Sequence, residues 1–461
     1  MHKAAKLYAL LGVLAILCVC VFAVTRHEEK KEQIKTMGQA ILEIPTQDVT
    51  NLTWVNDAGS FSFSRGEAWT YDDDPAFPVD GDAVENLLNQ FQSFRAAFSI
   101  ENVEDYAQYG LDNPCASISV TAGGQTCTLE LGDFSKMDQQ RYLTLGDGTV
   151  YLAEHDPLEE FSVTAQDLIC NDALPAFDTA TALAFAGAEN YTVTRSEDET
   201  SICPEDVYFT DGNPLDTGLV TSYLTTLKGL PLTDYVTYNA DDAQLAEYGM
   251  DAPALTITVR YSGDTAGSFR LHLSQNPQQL AAYEKAKETE GATLPTVTCY
   301  ARLNDSKIIY EIPQSTYTKL TAASYNDLRH QKLFTGEFSS VTSIEISLDG
   351  QEYAFTRRAA EEKDAEETWL YDDREIEVYP LRTAVCSLGA SEFTDDSPSG
   401  REEISVTLHL DNPDFPTFTL TLYRHSGSTC LASVNGTPAA YVQRTQAVDL
   451  IEAVNQIILD S

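Results

Sequence analysis

The sequence predicts an α+β protein: three tandem repeats of antiparallel strands with packed helices, behind one N-terminal transmembrane helix. Three observations predict it. Tyr109-Gly110-Leu111-Asp112-Asn113-Pro114 returns as Tyr248-Gly249-Met250-Asp251-Ala252-Pro253, 139 residues later. Trp69-Thr70-Tyr71-Asp72-Asp73 returns as Trp369-Leu370-Tyr371-Asp372-Asp373, 300 residues later, about two of those periods. Motifs that recur at a fixed spacing mark duplicated structural units. The third observation is Leu7 to Val24, an uncharged and mostly aliphatic run at the lower edge of bilayer-spanning length.

The elements follow in order. Residues 1–31 form the predicted anchor and 32–43 a polar stalk. His2, Lys3 and Lys6 precede the apolar run, which suits a signal peptide or a signal anchor. Val21 and Ala23 would permit cleavage after Ala23, but the run exceeds an ordinary h-region, which favours an uncleaved anchor. Leu17 before Cys18 and Val19 before Cys20 exclude a lipoprotein signal, which needs a small residue there. Basic residues flank the run on both sides, so the positive-inside count is nearly tied. Delivery of secreted domains by a lone apolar segment places the remainder outside the cytoplasm.

The first repeat covers 44–175. Leu52–Val55, Ser60–Phe63 and Ala68–Tyr71 alternate as strands between Gly- and Asp-containing turns. Val84, Leu87, Leu88, Phe91 and Phe94 recur at three- and four-residue steps, which predicts a helix capped by Asp80 or Asp82. Ile118 and Val120 pair across Gly123-Gly124 with Leu129 and Leu131. A last hairpin turns at Gly146-Asp147-Gly148, and Pro157 opens a helix holding Leu158, Phe161 and Leu168. The second repeat, 177–336, keeps this order, with helices on Val220, Tyr223, Leu224 and Leu227 and from Gln314. The third, 337–461, keeps it with losses: Asp395-Asp396-Ser397-Pro398 stands where the Tyr-Gly motif would be. Asn276–Glu290 reads as an inserted polar helix, a solvated excursion or a docking element, and Ala359–Glu367 as a charged hairpin tip.

Composition bounds the partners. The chain has 461 residues, 71 acidic against 29 basic, and a formal net charge of −42. Such a surface repels nucleic acid phosphates, so no nucleic acid partner is expected. Nine cysteines are too few for a disulfide scaffold of this length, and no CxxC pair signals zinc.

The order of strands, helix, Tyr-Gly-x-Asp-x-Pro, hairpins and helix behind one membrane segment resembles a bacterial family carrying a domain of unknown function, DUF4340. Trp69, Tyr109, Gly110, Leu111, Asp112, Pro114, Tyr248, Gly249, Met250, Asp251 and Pro253 carry the resemblance. It implies a membrane-anchored, extracytoplasmic protein, a companion of ABC-2-type export or gliding-type surface machines. It implies no catalytic residue.

The motif itself reads as turn chemistry. Gly110 and Gly249 suit a positive φ, Asp112 and Asp251 suit bonds to nearby backbone amides, and Pro114 and Pro253 steer the chain into a strand. Tyr109 and Tyr248 pack a ring with a wet hydroxyl. A ligand-gripping loop is the alternative. The runs Asp72-Asp73-Asp74, Asp372-Asp373 and Asp395-Asp396 lack the alternation of a calcium loop. The histidines are scattered, and HExxH, GxSxG and GxxxxGK[ST] are absent. No catalytic, cofactor or metal residue is therefore singled out. The sequence points to a non-enzymatic interaction module with an envelope or transporter protein partner. An envelope-glycan binder using Trp54, Trp69 and Trp369 is the alternative, and a hydrolase the third reading.

Overall fold

The computed structural model describes residues 38–101, 103–263, 266–358 and 368–460. The expected anchor at Leu7–Val24 and the hairpin tip at Ala359–Glu367 lie outside the described residues. Among the described residues no helix is long and apolar enough to cross a membrane. Two compact units part between Asp172 and Ala173.

The first unit holds a nine-stranded sheet. Its strands are β1 (Gln39–Leu42), β2 (Val49–Asn56), β3 (Gly59–Arg65), β4 (Trp69–Tyr71), β5 (Phe94–Ile100), β6 (Ala116–Ala122), β7 (Gln125–Ser135), β8 (Gln140–Thr144) and β9 (Val150–Ala153). Helix α1 (Gly81–Leu88) connects β4 to β5, and α2 (Pro157–Glu160) follows β9. The second unit holds two more such sheets. One has β10 (Thr179–Ala186), β11 (Asn190–Arg195), β12 (Tyr208–Thr210), β13 (Asn213–Pro214), β14 (Tyr235–Thr237), β15 (Leu255–Ser262), β16 (Gly267–Gln275), β17 (Cys299–Leu303) and β18 (Ile309–Ile312). Its helices are α3 (Thr217–Lys228), α4 (Asp242–Glu247), α5 (Pro277–Lys287), α6 (Gln314–Thr321) and α7 (Tyr325–Leu328). The other has β19 (Val341–Leu348), β20 (Gln351–Arg358), β21 (Thr368–Tyr371), β22 (Arg374–Ile376), β23 (Glu392–Phe393), β24 (Glu402–Leu410), β25 (Thr417–Arg424), β26 (Thr429–Val434) and β27 (Thr437–Gln443). Helices α8 (Tyr379–Ser387) and α9 (Arg444–Asp460) belong to it.

The three sheets share one strand order. It reads β1-β5-β9-β8-β7-β6-β2-β3-β4, then β14-β18-β17-β16-β15-β10-β11-β12-β13, then β23-β27-β26-β25-β24-β19-β20-β21-β22. All neighbours are antiparallel. In each sheet a helix carries the chain from one edge to the other, where β5, β14 or β23 pairs with the last strand of its sheet. The chain then returns to the middle. The ninth strand differs in origin: β1 is added beside β5, whereas β13 and β22 are added on the opposite edge.

Register extends the repeat beyond what the motifs show. Arg65 pairs Trp69, Arg195 pairs Tyr208, and Arg357 pairs Trp369, so an arginine faces a buried aromatic in every sheet. Arg65 donates to the Thr46 carbonyl and Arg357 to the Ser339 carbonyl, each in the short 3-10 turn before its sheet's first long strand.

Burial follows the alternation. Leu52, Trp54, Phe63, Ile118, Val120, Leu129 and Leu131 point inward in the first sheet, beneath Val84, Leu87 and Leu88 of α1. Asp80 caps α1 by accepting from the Asp82 and Ala83 amides at 3.0 and 3.1 Å. Each such large apolar side chain contributes about 1.5–3 kcal/mol by leaving water. Trp54 stacks on Phe63, ring centres 5.4 Å apart, and its indole donates to the Val163 carbonyl at 3.2 Å. The third sheet repeats this with Ile344, Ile346, Phe355 and Trp369 under Leu381 and Val385 of α8.

Three expectations are corrected. Helix α1 stops at Leu88; Phe91 lies in a 3-10 turn and Phe94 opens β5, so equal spacing concealed a change of backbone. The segment from Pro157 is a four-residue helix and a separate 3-10 turn, Ala165–Leu168, not one helix. In the hairpin, Ile118 does face Leu129, but Val120 faces Cys127 and Leu131 faces Ala116.

Candidate functional site

Both copies of the Tyr-Gly motif occupy the return connection, between β5 and β6 and between β14 and β15. Tyr109 ends a 3-10 turn and Tyr248 follows α4. Gly110 and Gly249 both take φ of +69°, a conformation costly for a residue with a side chain. The next residues, Leu111 and Met250, are buried and donate their amides back to Tyr106 and Leu245 carbonyls at 3.1 and 2.7 Å. Each motif tyrosine packs on a second tyrosine: Tyr109 on Tyr142 of β8 and Tyr248 on Tyr300 of β17, both with ring centres 5.0 Å apart.

The turn also docks on the end of the next strand. A Cβ on Gly110 would stand 2.6 Å from Asp133 Cγ and 2.9 Å from its amide nitrogen. A Cβ on Gly249 would meet the Gln275 carbonyl at 3.0 Å. Tyr109 O leaves no room for a side chain at Gly132, where a Cβ would come within 2.2 Å. At the matching position Ser274 turns the same approach into a bond, its hydroxyl donating to the Tyr248 carbonyl at 2.6 Å. Pro114 and Pro253 are half-buried just before their strands. Asp112 and Asp251 are exposed, and among the described residues neither carboxylate accepts a hydrogen bond. The expected bonds to nearby amides are therefore absent, because the glycine geometry and the returning amides already close the turn.

The other sequence candidates resolve differently. Trp54, Trp69 and Trp369 are buried at 1%, 6% and 3% exposure, so they form no surface platform for a glycan. The first acidic run is a bonded turn: Ser62 Oγ donates to Asp72 Oδ2 at 2.5 Å, Tyr71 to Asp73 at 3.0 Å, and the Ala76 amide to Asp74 at 2.9 Å. Asp372 and Asp373 sit at φ of 48° and 62°, the backbone of a tight hairpin turn. Asp396 accepts from the Tyr441 hydroxyl at 2.5 Å, which lowers its pKa and raises that of the tyrosine. Asn276 caps the inserted helix as expected, accepting from the Gln278 and Gln279 amides, and the helix buries no residue.

Two buried polar clusters were not visible in the sequence. In the third sheet the Glu403 side chain is 3% exposed, with Arg424 and Arg444 at 3.6 and 3.7 Å. The Cys430 thiol donates to it at 3.5 Å. Burial first, and then the Glu403 charge, push that thiol up to about 11.

The second cluster joins Cys203, Asp206 and His330, whose donor atoms all lie within 4.8 Å of one another. Asp206 closes a tight turn by donating its amide to the Cys203 carbonyl at 3.2 Å, so both side chains leave one loop between β11 and β12. His330 arrives from the segment after α7. Its Nε2 lies 2.9 and 3.0 Å from the two Asp206 oxygens, and its Nδ1 is 3.5 Å from Asp216 Oδ2. The Asp206 side chain is 1% exposed and that of His330 19%. Burial disfavours a charged His330, but the hydrogen bond and charge of Asp206, with Asp216, outweigh it and raise its pKa. Burial and neighbouring carboxylates likewise raise the Cys203 thiol. Ile202 in the same loop packs into the third sheet's core.

A family model, the domain of unknown function DUF4340, matches residues 69–240 and 209–413. The chain belongs to the DUF4340 family. No curated protein and no solved structure matches it. The DUF4340 matches begin at Trp69 and Phe209, on β4 and β12, which hold the same place in their respective sheets. Each DUF4340 match therefore starts on the corresponding strand of one sheet and ends within the next. Periodicity found the motif because its residues are neighbours in sequence. Cys203, Asp206 and His330 escaped it because 124 residues separate the last two, and no local spacing links them.

Proposed function

We propose that this DUF4340 chain is a membrane-anchored, extracytoplasmic, non-enzymatic interaction module, auxiliary to an export or surface machine of the ABC-2 or gliding type. One observation carries the reading. In the first and third sheets the core and its helices lie on one face and short hydroxyl side chains line the other. In the first sheet Ser62, Thr53, Ser119 and Thr128 form a row across four strands, and Thr121 pairs Thr126 beside it. Hydroxyl contacts join the row, Thr53 to Ser62 at 3.1 Å and Ser119 to Thr128 at 2.8 Å. In the third sheet Ser347, Ser405 and Thr421 form a second, half-buried row. Short hydroxyls lose little side-chain entropy on contact, and a flat face offers area for a protein partner. With a net charge of −42, association with a basic partner is salt-sensitive and fastest at low ionic strength.

The test is capture from detergent-solubilised envelope by the full chain, beside Thr53→Lys and Ser119→Lys in one variant. Loss of one defined partner with unchanged melting supports the module. Turnover of an envelope substrate that disappears on replacing a single carboxylate overturns it.

A further inference from the structure

We infer that Cys203, Asp206 and His330 form a binding site for a divalent ion of the zinc class. The donors are a thiol, a carboxylate and an imidazole. Sulfur and nitrogen suit zinc and exclude magnesium and calcium, which require oxygen cages. A zinc ion about 2.0–2.3 Å from each donor separates the donors by roughly 3–4 Å. The donor atoms of the cluster all lie within 4.8 Å of one another, within side-chain adjustment of that span. Binding needs only a few tenths of an ångström of opening between His330 and Asp206, now 2.9 Å apart.

The surrounding contacts are those of a supported metal site. A metal-ligating imidazole characteristically turns its second nitrogen to a carboxylate, which fixes its ring and strengthens it as a donor. Asp216 stands at that nitrogen, 3.5 Å from His330 Nδ1, and is itself fixed as the α3 cap by the Gly218 and Leu219 amides. Ser201 donates to Asp206 Oδ2 at 2.7 Å and accepts from the Cys203 amide at 3.2 Å. One hydroxyl thus orients both loop ligands. Asp206 is the most deeply buried of the three, whereas His330 and Cys203 are partly buried. Three protein donors leave a fourth position of a tetrahedral ion for water or an incoming ligand. The ion ties the loop carrying Ile202 to the segment leading into β19. Binding requires the Cys203 thiol and the ligating nitrogen of His330 to be without their protons.

The purified full chain, reduced and stripped with chelator, is titrated with zinc(II) against a chromophoric chelator and with cobalt(II) by absorption. One zinc equivalent per chain and a thiolate-to-cobalt band in the near ultraviolet are expected. Cys203→Ser removes the band, and His330→Gln removes the stoichiometric phase. Asp216→Asn weakens affinity by about 10- to 100-fold. Cys115→Ser and Cys170→Ser, at exposed thiols, leave both signals intact. Zinc raises the melting temperature of the parent chain and not of Cys203→Ser, a reading that holds even where a variant is less stable. The site is overturned by the absence of a stoichiometric equivalent. Its survival in Cys203→Ser and His330→Gln, or its loss in Cys115→Ser or Cys170→Ser, overturns it equally.

Discussion

At the scale of single residues, the geometry shared by the two Tyr-Gly turns separates residues that look alike in sequence. Gly110 combines a φ of +69° with a Cβ site blocked by the Asp133 side chain and amide nitrogen. Gly110→Val is expected to cost about 1–3 kcal/mol or more, and Gly249→Val somewhat less, because its nearest obstacle lies at 3.0 Å. Asp112→Ala, at an exposed and unbonded carboxylate, should stay within about 0.5 kcal/mol of the parent. Chemical denaturation measures all three, and equal stability of the glycine variants would return the motif to the ligand-loop reading. His272 makes a second case. Burial, then Arg302 and Arg270, lower its pKa below 6.5 against the opposing charge of Asp305. The unfolded chain therefore binds a proton more readily than the folded one. Stability contributed by neutral His272 is complete above 6.5 and declines as pH falls through the folded value. The difference in melting temperature between His272→Asn and the parent should shrink or reverse on acidification below 6.5. A pH-independent difference contradicts the assignment.

Among elements, the long strands were legible because their sequence alternates: Leu52, Trp54 inward against Thr53, Val55 outward, and Ile344, Ile346, Leu348 against Ser343, Glu345, Ser347. Hairpin turns were legible from glycine, as at Gly123-Gly124 and Gly146. The short strands were not. Strands β13, β14 and β23 have two or three residues, too few for any period to register, and their place is set by the pairing they complete. The Val84–Phe94 series was misread because a helix, a 3-10 turn and a strand entry can bury residues at the same spacing. The polar cluster at Cys203 was illegible for the same reason as any site assembled by topology: its members meet only after β11, β12 and the segment beyond α7 are in place. Helix α5 gives the test at this scale. It is well capped yet buries nothing, and helices draw most of their stability from packing. Its amides should exchange with solvent far faster than those of β15, β16 and β17. Equal protection would mean that something covers it.

For the whole chain, the division at Asp172 and Ala173 predicts separable folding. A fragment of residues 38–172 contains a complete nine-stranded sheet with its own core around Trp54, Phe63 and Phe91. It should unfold cooperatively alone, with a sigmoidal denaturant transition. A fragment ending at Leu328 should do worse than one of residues 173–461, because Ile202 would lose the apolar core it packs into. A molten 38–172 fragment would refute the first expectation.

The brevity of the outermost strands limits how such a molecule can be joined. β4 and β22 span three residues, β14 three, β1 four, and β13 and β23 two. A ladder grows by templating, and a template of two to four residues supports only one or two cross-strand bond pairs. Neighbouring copies crowded on one surface will not zip edge to edge into a continuous ribbon. An incoming peptide finds no rail on which to add itself as a further strand.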